Sequence, residues 1–253
     1  MKYRSLNFKE NLLPTIVYFS LRIIVIFIFV LNILNRNYEN AFICLLTLVL
    51  LVTPLFIEEK FNIEIPGTLE VIIFLFIFAA EILGELNSFY TLFPKWDMIL
   101  HTINGFIMGA IGLSLIELLN DSDKVSIKLS PLFVAIVSFC FSMTIGVVWE
   151  FFEFGMDNIF NLDMQKDTVV TKINSVTFDP DGLNKVHTIN IDKIVVNEEE
   201  WNYGGYIDIG LIDTMNDLLV NFVGASLFAV LGYFYSKYKK DSGIKKILIM
   251  PRK

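Results

Sequence analysis

Residues 131–155 read PLFVAIVSFCFSMTIGVVWEFFEFG, an apolar run that carries no charge before Glu150. Five further apolar windows centre on residues 12–34, 40–57, 67–86, 97–119 and 209–235. Each is close to the roughly 20 residues that an α-helix needs to cross the hydrocarbon core of a bilayer. The sequence therefore predicts an all-α polytopic membrane protein with six transmembrane helices.

The composition excludes a soluble globular chain. Hydrophobic residues make up 55% of the sequence, 24 residues are Phe and the mean hydropathy is +0.60, which is more apolar surface than one soluble core of this size buries. The first window is too long for the core of a signal peptide and lacks a small-residue cleavage site, so we expect it to be retained. Nucleic acid is not an expected partner, because no basic surface studded with aromatic residues is present.

The distribution of Lys and Arg predicts the orientation in the membrane. With both termini in the cytoplasm, thirteen of these residues fall on inner segments, and only Arg36 and Lys95 fall on short outer loops. This asymmetry is the positive-inside pattern of a multi-pass protein in the bacterial plasma membrane. Residues 1–160 then hold helices one to five, 208–238 hold helix six, and 239–253 form a basic cytoplasmic tail.

Residues 161–207 interrupt the apolar pattern between helices five and six. Two polar, β-branched segments, 168–178 and 185–196, flank the turn sequence Asp179-Pro-Asp-Gly182, in which Asp, Pro and Gly each favour a turn. We therefore expect an extracytoplasmic β-hairpin insertion. Residues 156–208 contain ten acids and four lysines, so this part of the chain is acidic.

Polar side chains mark one end of the predicted helices. Three pairs are three or four residues apart, so that both members of a pair project from one face of a helix: Asp97 and His101, Glu150 and Glu153, and Asp213 and Asp217. Ionisable groups at membrane depth are costly and usually functional. Further polar residues of the same depth are Glu81, Glu85 and Asn221.

By the predicted topology these nine residues, here called the polar set, all lie in the outer third of their helices. Because antiparallel neighbours with short loops pack side by side, one shared outward-facing pocket is expected. The alternative for any single acid is that it reaches headgroup water near a helix end, or is favoured by the helix dipole. Glu70 and Glu117 fall at the opposite ends of their helices and are expected to be solvated.

Any metal site in this chain is expected to be rich in carboxylates. Cys44 and Cys140 both fall inside apolar windows and offer no disulfide or zinc pattern, and only two histidines are present. Carboxylate oxygens favour hard cations. The cofactor is left open, with a divalent cation as the candidate. Asp97, His101, Glu150, Glu153, Asp213 and Asp217 are the candidate ligands, and His101, Glu150 and Glu153 are the candidate catalytic groups.

The order of the motifs resembles a known family. The chain contains Glu81-x-x-Gly84, then Trp96-Asp97-x-x-x-His101, then Trp149-Glu150-x-x-Glu153, then Asp213-Thr-Met-x-Asp217 followed by Asn221. Over residues 80–235 this order resembles the YjdF family of bacterial inner-membrane proteins, which implies a fold and a polar cluster rather than an activity. A weaker similarity runs to VanZ-like proteins, but Glu153 stands where those usually have Gln, and the insertion is foreign to their compact forms.

Three functions from different classes fit the polar set. In the first, a divalent cation and His101 act on a phosphate or amide of an envelope lipid at the outer leaflet. In the second, the carboxylates and His101 form a proton relay for a small-solute carrier, although no inverted repeat is visible. In the third, the set is a hydrogen-bonded structural network, and the acidic hairpin binds an envelope protein. The sequence does not decide whether the protein is an enzyme.

Overall fold

The computed structural model describes residues 12–120, 129–238 and 243–252. Within these ranges the chain is mainly helical, with short strands in the connections. Part of the orientation argument lies outside the described residues, namely Lys2, Arg4, Lys9, Lys124, Lys128, Lys239, Lys240 and Lys253.

Five of the described helices are long and apolar enough to cross a membrane. They are α1 (Leu12–Leu34), α2 (Tyr38–Phe61), α5 (Trp96–Asn120), α6 (Pro131–Phe160) and α7 (Leu211–Tyr238). Large apolar side chains are exposed along them, as expected of surfaces that face lipid. The multi-pass membrane class is therefore supported, while six spans remain a prediction.

The third apolar window, 67–86, is not one regular helix. It holds α3 (Gly67–Phe78) and then a π-helical segment, Ala79–Leu86, before the short helix α4 (Phe89–Leu92). Asn87 ends the π-helical segment, because both its backbone N–H and its side-chain amide donate to the carbonyl of Ile82. π-Helical geometry is rare and is often found at functional sites.

The described residues form two compact units, one from the described parts of Met1–Gly146 and Val220–Lys253, and the other from Val147–Leu219. In the first unit, hydroxyl groups of α6 bond directly to the backbone of α5. Ser142 Oγ donates to the carbonyl of Gly105 over 2.7 Å, and Ser138 Oγ donates to that of Gly109 over 2.6 Å. Small residues that let helix backbones approach closely are the usual basis of packing between transmembrane helices.

The C-terminal segment returns to the first unit. Strand β8 (Met250–Pro251) pairs antiparallel with β1 (Ile63–Glu64), which connects α2 to α3. Leu248 and Ile249 are buried, and Ile249 shares an apolar cluster with Leu69 of α3 and Ile107 of α5. The tail that composition marks as basic thus contributes an apolar stretch to the core.

The second unit contains the insertion between α6 and α7. Strand β2 (Val169–Val170) pairs with β7 (Tyr206–Ile207), β3 (Lys172–Ser175) with β4 (His187–Asn190), and β5 (Ile194–Val196) with β6 (Glu199–Trp201), all antiparallel. The β3–β4 pair joins the two segments for which a hairpin was expected, but only four residues of each segment take part. The β2–β7 pair brings the two ends of the insertion together.

Candidate functional site

In the first unit, Asp97 and His101 form one contact at the start of α5. The carboxylate Oδ1 of Asp97 lies 3.5 Å from Nε2 of His101, as their spacing of four residues predicts. The Asp97 side chain is 27% exposed, whereas that of His101 is 7% exposed. Asp97 occupies the first turn of α5, where the helix dipole favours a negative charge.

Asn221 is the most deeply buried member of the polar set in the first unit. It is fully buried on α7, and its side chain lies against two glycines. A Cβ atom at Gly105 of α5 would be 3.0 Å from Asn221 Oδ1, and one at Gly146 of α6 would be 2.5 Å from its Nδ2. Three helices therefore meet at this amide.

The other two members of the polar set in the first unit lie on the π-helical segment. Glu81 is half-buried and Glu85 is exposed. Gly84, between them, faces the ring of Tyr90, because a Cβ atom there would lie 2.4 Å from a ring carbon. The sequence predicted these acids but not the π-helical geometry that presents them.

In the second unit, the end of α6 carries two buried carboxylates. Glu150 is 4% exposed and Glu153 is 7% exposed. The indole Nε1 of Trp149 donates a hydrogen bond of 2.9 Å to Glu153 Oε1. Both acids are thus protected from solvent on a largely apolar helix.

The start of α7 carries Asp213 and Asp217. Asp213 Oδ2 accepts a hydrogen bond of 2.7 Å from the backbone N–H of Lys166, and the next hydroxyl, that of Thr214, accepts one from the side-chain amide of Gln165. Asp217, one turn further along, is only 1% exposed. The members of this pair therefore differ in role, because Asp213 holds a loop whereas Asp217 is enclosed.

Sequence reasoning missed the residues that fix this loop. Asp157 accepts hydrogen bonds from the backbone N–H groups of Met164 and Gln165, and Asp208 accepts one from Thr168. No spacing pattern indicated them, because the bond from Thr168 to Asp208 spans 40 residues and the partners of Asp157 lie in an irregular loop. These bonds connect the end of α6 to the start of α7.

Two loop carboxyls have shifted pKa values. Burial raises the pKa of Asp208, but hydrogen bonds from the backbone N–H groups of Thr168, Ile212 and Gly210 outweigh it, so that the net pKa is lowered. Burial raises the pKa of Asp167, and the nearby carboxylates of Asp163 and other acids raise it further. Asp208 is therefore held as an anion more firmly than an ordinary carboxyl group.

The expectation that Glu70 is solvated was wrong. Glu70 is 4% exposed, and Glu58, near the end of α2, is 5% exposed. The C-terminal segment packs on the same helix, where Ile249 lies in one apolar cluster with Leu69. Glu58 Oε1 also accepts a hydrogen bond of 2.6 Å from the backbone N–H of Ile65, so its burial has a structural use.

The contacts described above join Asp97 to His101 in the first unit, and tie Glu153 and Asp213 to their neighbours in the second. The single pocket that would combine the polar set remains a prediction. Chemically, the set supplies carboxylate oxygens, one amide oxygen and one imidazole nitrogen, which are the ligands that divalent metal ions accept in proteins.

Comparison with models of protein families matches residues 16–238 to the family described as "Predicted membrane protein (DUF2238)". No curated protein and no solved structure matches. The family match is consistent with the resemblance to YjdF membrane proteins, whereas nothing in these comparisons supports the weaker similarity to VanZ-like proteins. Because the match covers most of the sequence, the chain belongs to the DUF2238 family of predicted membrane proteins.

Proposed function

We propose that this protein is a metal-dependent membrane enzyme that acts on a phosphate-containing envelope lipid at the outer leaflet. The observation that supports it is the burial of four ionisable side chains on three membrane-crossing helices. Their exposed fractions are 6% for His101, 4% for Glu150, 7% for Glu153 and 1% for Asp217. Ionisable groups in such segments usually serve a function, and this combination of ligands suits a divalent cation.

Helical spacing supports a shared site. In the first unit Asn221 packs against Gly105 and Gly146, so the faces of α5, α6 and α7 that carry these residues adjoin one another. Residues four apart lie on the same face of a helix. His101 precedes Gly105 by four residues, Asp217 precedes Asn221 by four, and Glu150 follows Gly146 by four, so each lies on the same face of its own helix as that residue.

Each residue of the proposed site has a chemical role. Asp97, Asp213 and Asp217 supply carboxylate oxygens as ligands, and His101 supplies a ligand or a base. Glu150 and Glu153 would accept and return a proton during attack of water on the phosphate. A bound divalent cation would supply Lewis-acid polarisation of the phosphoryl oxygen.

The proposed topology puts this site at the outer leaflet of the bacterial plasma membrane. Six spans with both termini in the cytoplasm would leave the insertion outside. Labelling of single cysteines in intact cells tests this, after Cys44 and Cys140 are replaced by alanine. A cysteine at Asp181 should react with an impermeant maleimide and one at Gly243 should not, whereas the reverse result would invert the topology.

The metal content of the purified protein tests the site. We expect one divalent cation per chain by elemental analysis of the detergent-purified protein, and loss of that cation in Asp97→Asn and in Asp217→Asn. Asp192→Asn is the matched control, because it removes an exposed acid of the insertion. Circular dichroism establishes that each variant is folded.

Loss of metal in both site variants, with full retention in the control, would support the proposal and direct assays to hydrolysis of phosphate-containing lipids. A folded wild-type protein that stays free of metal after incubation with Mg²⁺, Mn²⁺ and Zn²⁺ would exclude it. The proton relay of a small-solute carrier uses the same residues, and it would then be the function to test.

A second candidate, a partner-binding envelope protein, is favoured by one observation. Large apolar side chains of the acidic insertion are exposed, among them Leu183 at 63%, Val186 at 66% and Tyr203 at 62%. Surfaces of this kind often mark interaction sites. A photo-crosslinking residue at position 183, activated in intact cells, should give one discrete protein adduct. The absence of any adduct would count against this candidate.

A further inference from the structure

The side-chain amide of Asn221 occupies a cradle made by two glycines. A Cβ atom at Gly105 would lie 2.3 Å from the backbone oxygen of Asn221 and 3.0 Å from its Oδ1, and one at Gly146 would lie 2.5 Å from its Nδ2. Neither contact leaves room for a larger residue. The three helices thus approach closely around one polar side chain rather than an apolar one.

The two polar atoms of this amide, Nδ2 and Oδ1, differ in their hydrogen bonding. Nδ2 donates to the sulfur of Met143 over 3.5 Å, and a thioether is a weak acceptor. Oδ1 is buried, and no donor within the described parts of the chain bonds to it. Most buried polar atoms in proteins have a partner, so an exception needs an explanation.

A bound cation would explain why Asn221 Oδ1 accepts no hydrogen bond from the described residues. Gly105, which faces Oδ1, lies four residues after His101 on α5, and His101 is in contact with Asp97 in the same unit. A side-chain amide oxygen is a ligand that divalent cations use together with carboxylates. A fully buried amide between two glycines is also held in one place, as a metal ligand should be.

We infer that Asn221 Oδ1 is a ligand of the divalent cation, directly or through one coordinated water molecule, together with Asp97 and His101. This inference rests on the proposed metal-dependent function, because it assigns a further ligand to the same site. It also gives a reason for the two glycines, which position the ligand and take no part in binding themselves.

Three variants of the full-length, detergent-purified protein test the assignment, with Mn²⁺ as the probe. Asn221→Leu removes the oxygen at similar volume, Asn221→Asp keeps it and adds charge, and Met143→Leu removes only the sulfur partner. Mn²⁺ affinity is measured by electron paramagnetic resonance. The melting temperature with and without Mn²⁺ separates loss of binding from loss of folding.

We expect Asn221→Leu to weaken Mn²⁺ binding about 10- to 100-fold, the range typical of lost metal-site partners. Asn221→Asp should bind at least as tightly as wild type, and its melting temperature should rise more on addition of Mn²⁺. Met143→Leu should bind as wild type does. If Asn221→Leu does not fold, the comparison of Asn221→Asp with wild type decides, and weaker binding by that variant would overturn the assignment.

The outcomes separate this inference from the proposed function. If wild type and Asn221→Leu bind Mn²⁺ equally, Asn221 is a structural residue and the metal-dependent function still stands. If wild type binds no Mn²⁺, the proposed function fails and the assignment of Asn221 falls with it.

Discussion

The backbone N–H of Ile249 donates a hydrogen bond of 2.9 Å to the side-chain oxygen of Ser114, and both residues are buried. The same hydroxyl donates to the carbonyl of Ala110 over 2.7 Å. The Ser114 hydroxyl of α5 therefore forms hydrogen bonds with both the C-terminal segment and the backbone of its own helix. Together with the β1–β8 pair, this bond fastens residues 243–252 to the first unit.

Ser114→Ala should destabilise the protein. The Ile249 N–H would lose its acceptor inside the core, and a buried unsatisfied donor costs about 1–3 kcal/mol. Thr144→Ala is the matched control, because the Thr144 hydroxyl is exposed and donates to the carbonyl of Cys140 in its own helix. Thermal unfolding in detergent measures both, and equal melting temperatures would show that Ser114 does not secure the segment.

Gly224→Ala should weaken the packing of α5 against α7. A Cβ atom at Gly224 would lie 2.0 Å from the carbonyl oxygen of Thr102, so the helices must separate, and overpacking of this kind costs about 1–3 kcal/mol. Gly155→Ala is the control within a helix, since nothing lies within 4 Å of its added atom. It should be neutral or stabilising by up to about 1 kcal/mol. Thermal unfolding of the two variants measures this, and an equal effect would refute the packing argument.

Hydropathy alone was sufficient to predict most of the long helices. Five of the six predicted windows correspond to long helices, because about 20 consecutive apolar residues have few alternatives to a membrane helix. The window 67–86 is also helical, but its last eight residues are π-helical, and periodicity does not distinguish such a segment from an α-helix. The turn sequence Asp179-Pro-Asp-Gly182 predicted a hairpin, and β3 and β4 pair on either side of it. A turn sequence does not determine how many residues of the flanking strands pair.

Contacts between residues far apart in the chain could not be predicted from the sequence. A spacing of four residues was enough to predict that Asp97 meets His101, because both lie on one helix. In contrast, nothing local indicates that Ile249 reaches Ser114, or that Glu70 is buried. The same reason explains why Asn221 was predicted as part of the polar set without its glycine cradle.

Acid should weaken the hydrogen bonds by which Asp208 holds the backbone of Thr168 and Ile212. Because its pKa in the folded protein is lowered, Asp208 contributes stability that is complete above the ordinary carboxyl pKa of 3.8 and is lost as the pH falls through the lower folded value. Hydrogen exchange of peptides covering Thr168 and Ile212 should therefore quicken more at about pH 3 than expected from intrinsic rates. Asp208→Asn should abolish this additional acid sensitivity, since an amide still accepts hydrogen bonds but does not titrate there.

Ile209 adopts a left-handed backbone conformation, with φ of 53°, although it is β-branched and 79% exposed. Such a conformation costs about 1–3 kcal/mol in a residue of this type, and little packing offsets the cost at this exposure. Ile209→Asn should therefore raise the free energy of unfolding by about 1 kcal/mol, because Asn tolerates this region. Leu211→Asn is the control, since Leu211 is 66% exposed and has a negative φ. Thermal unfolding of both variants in detergent measures the difference, and a destabilised Ile209→Asn would mean that the apolar side chain itself is needed at this position.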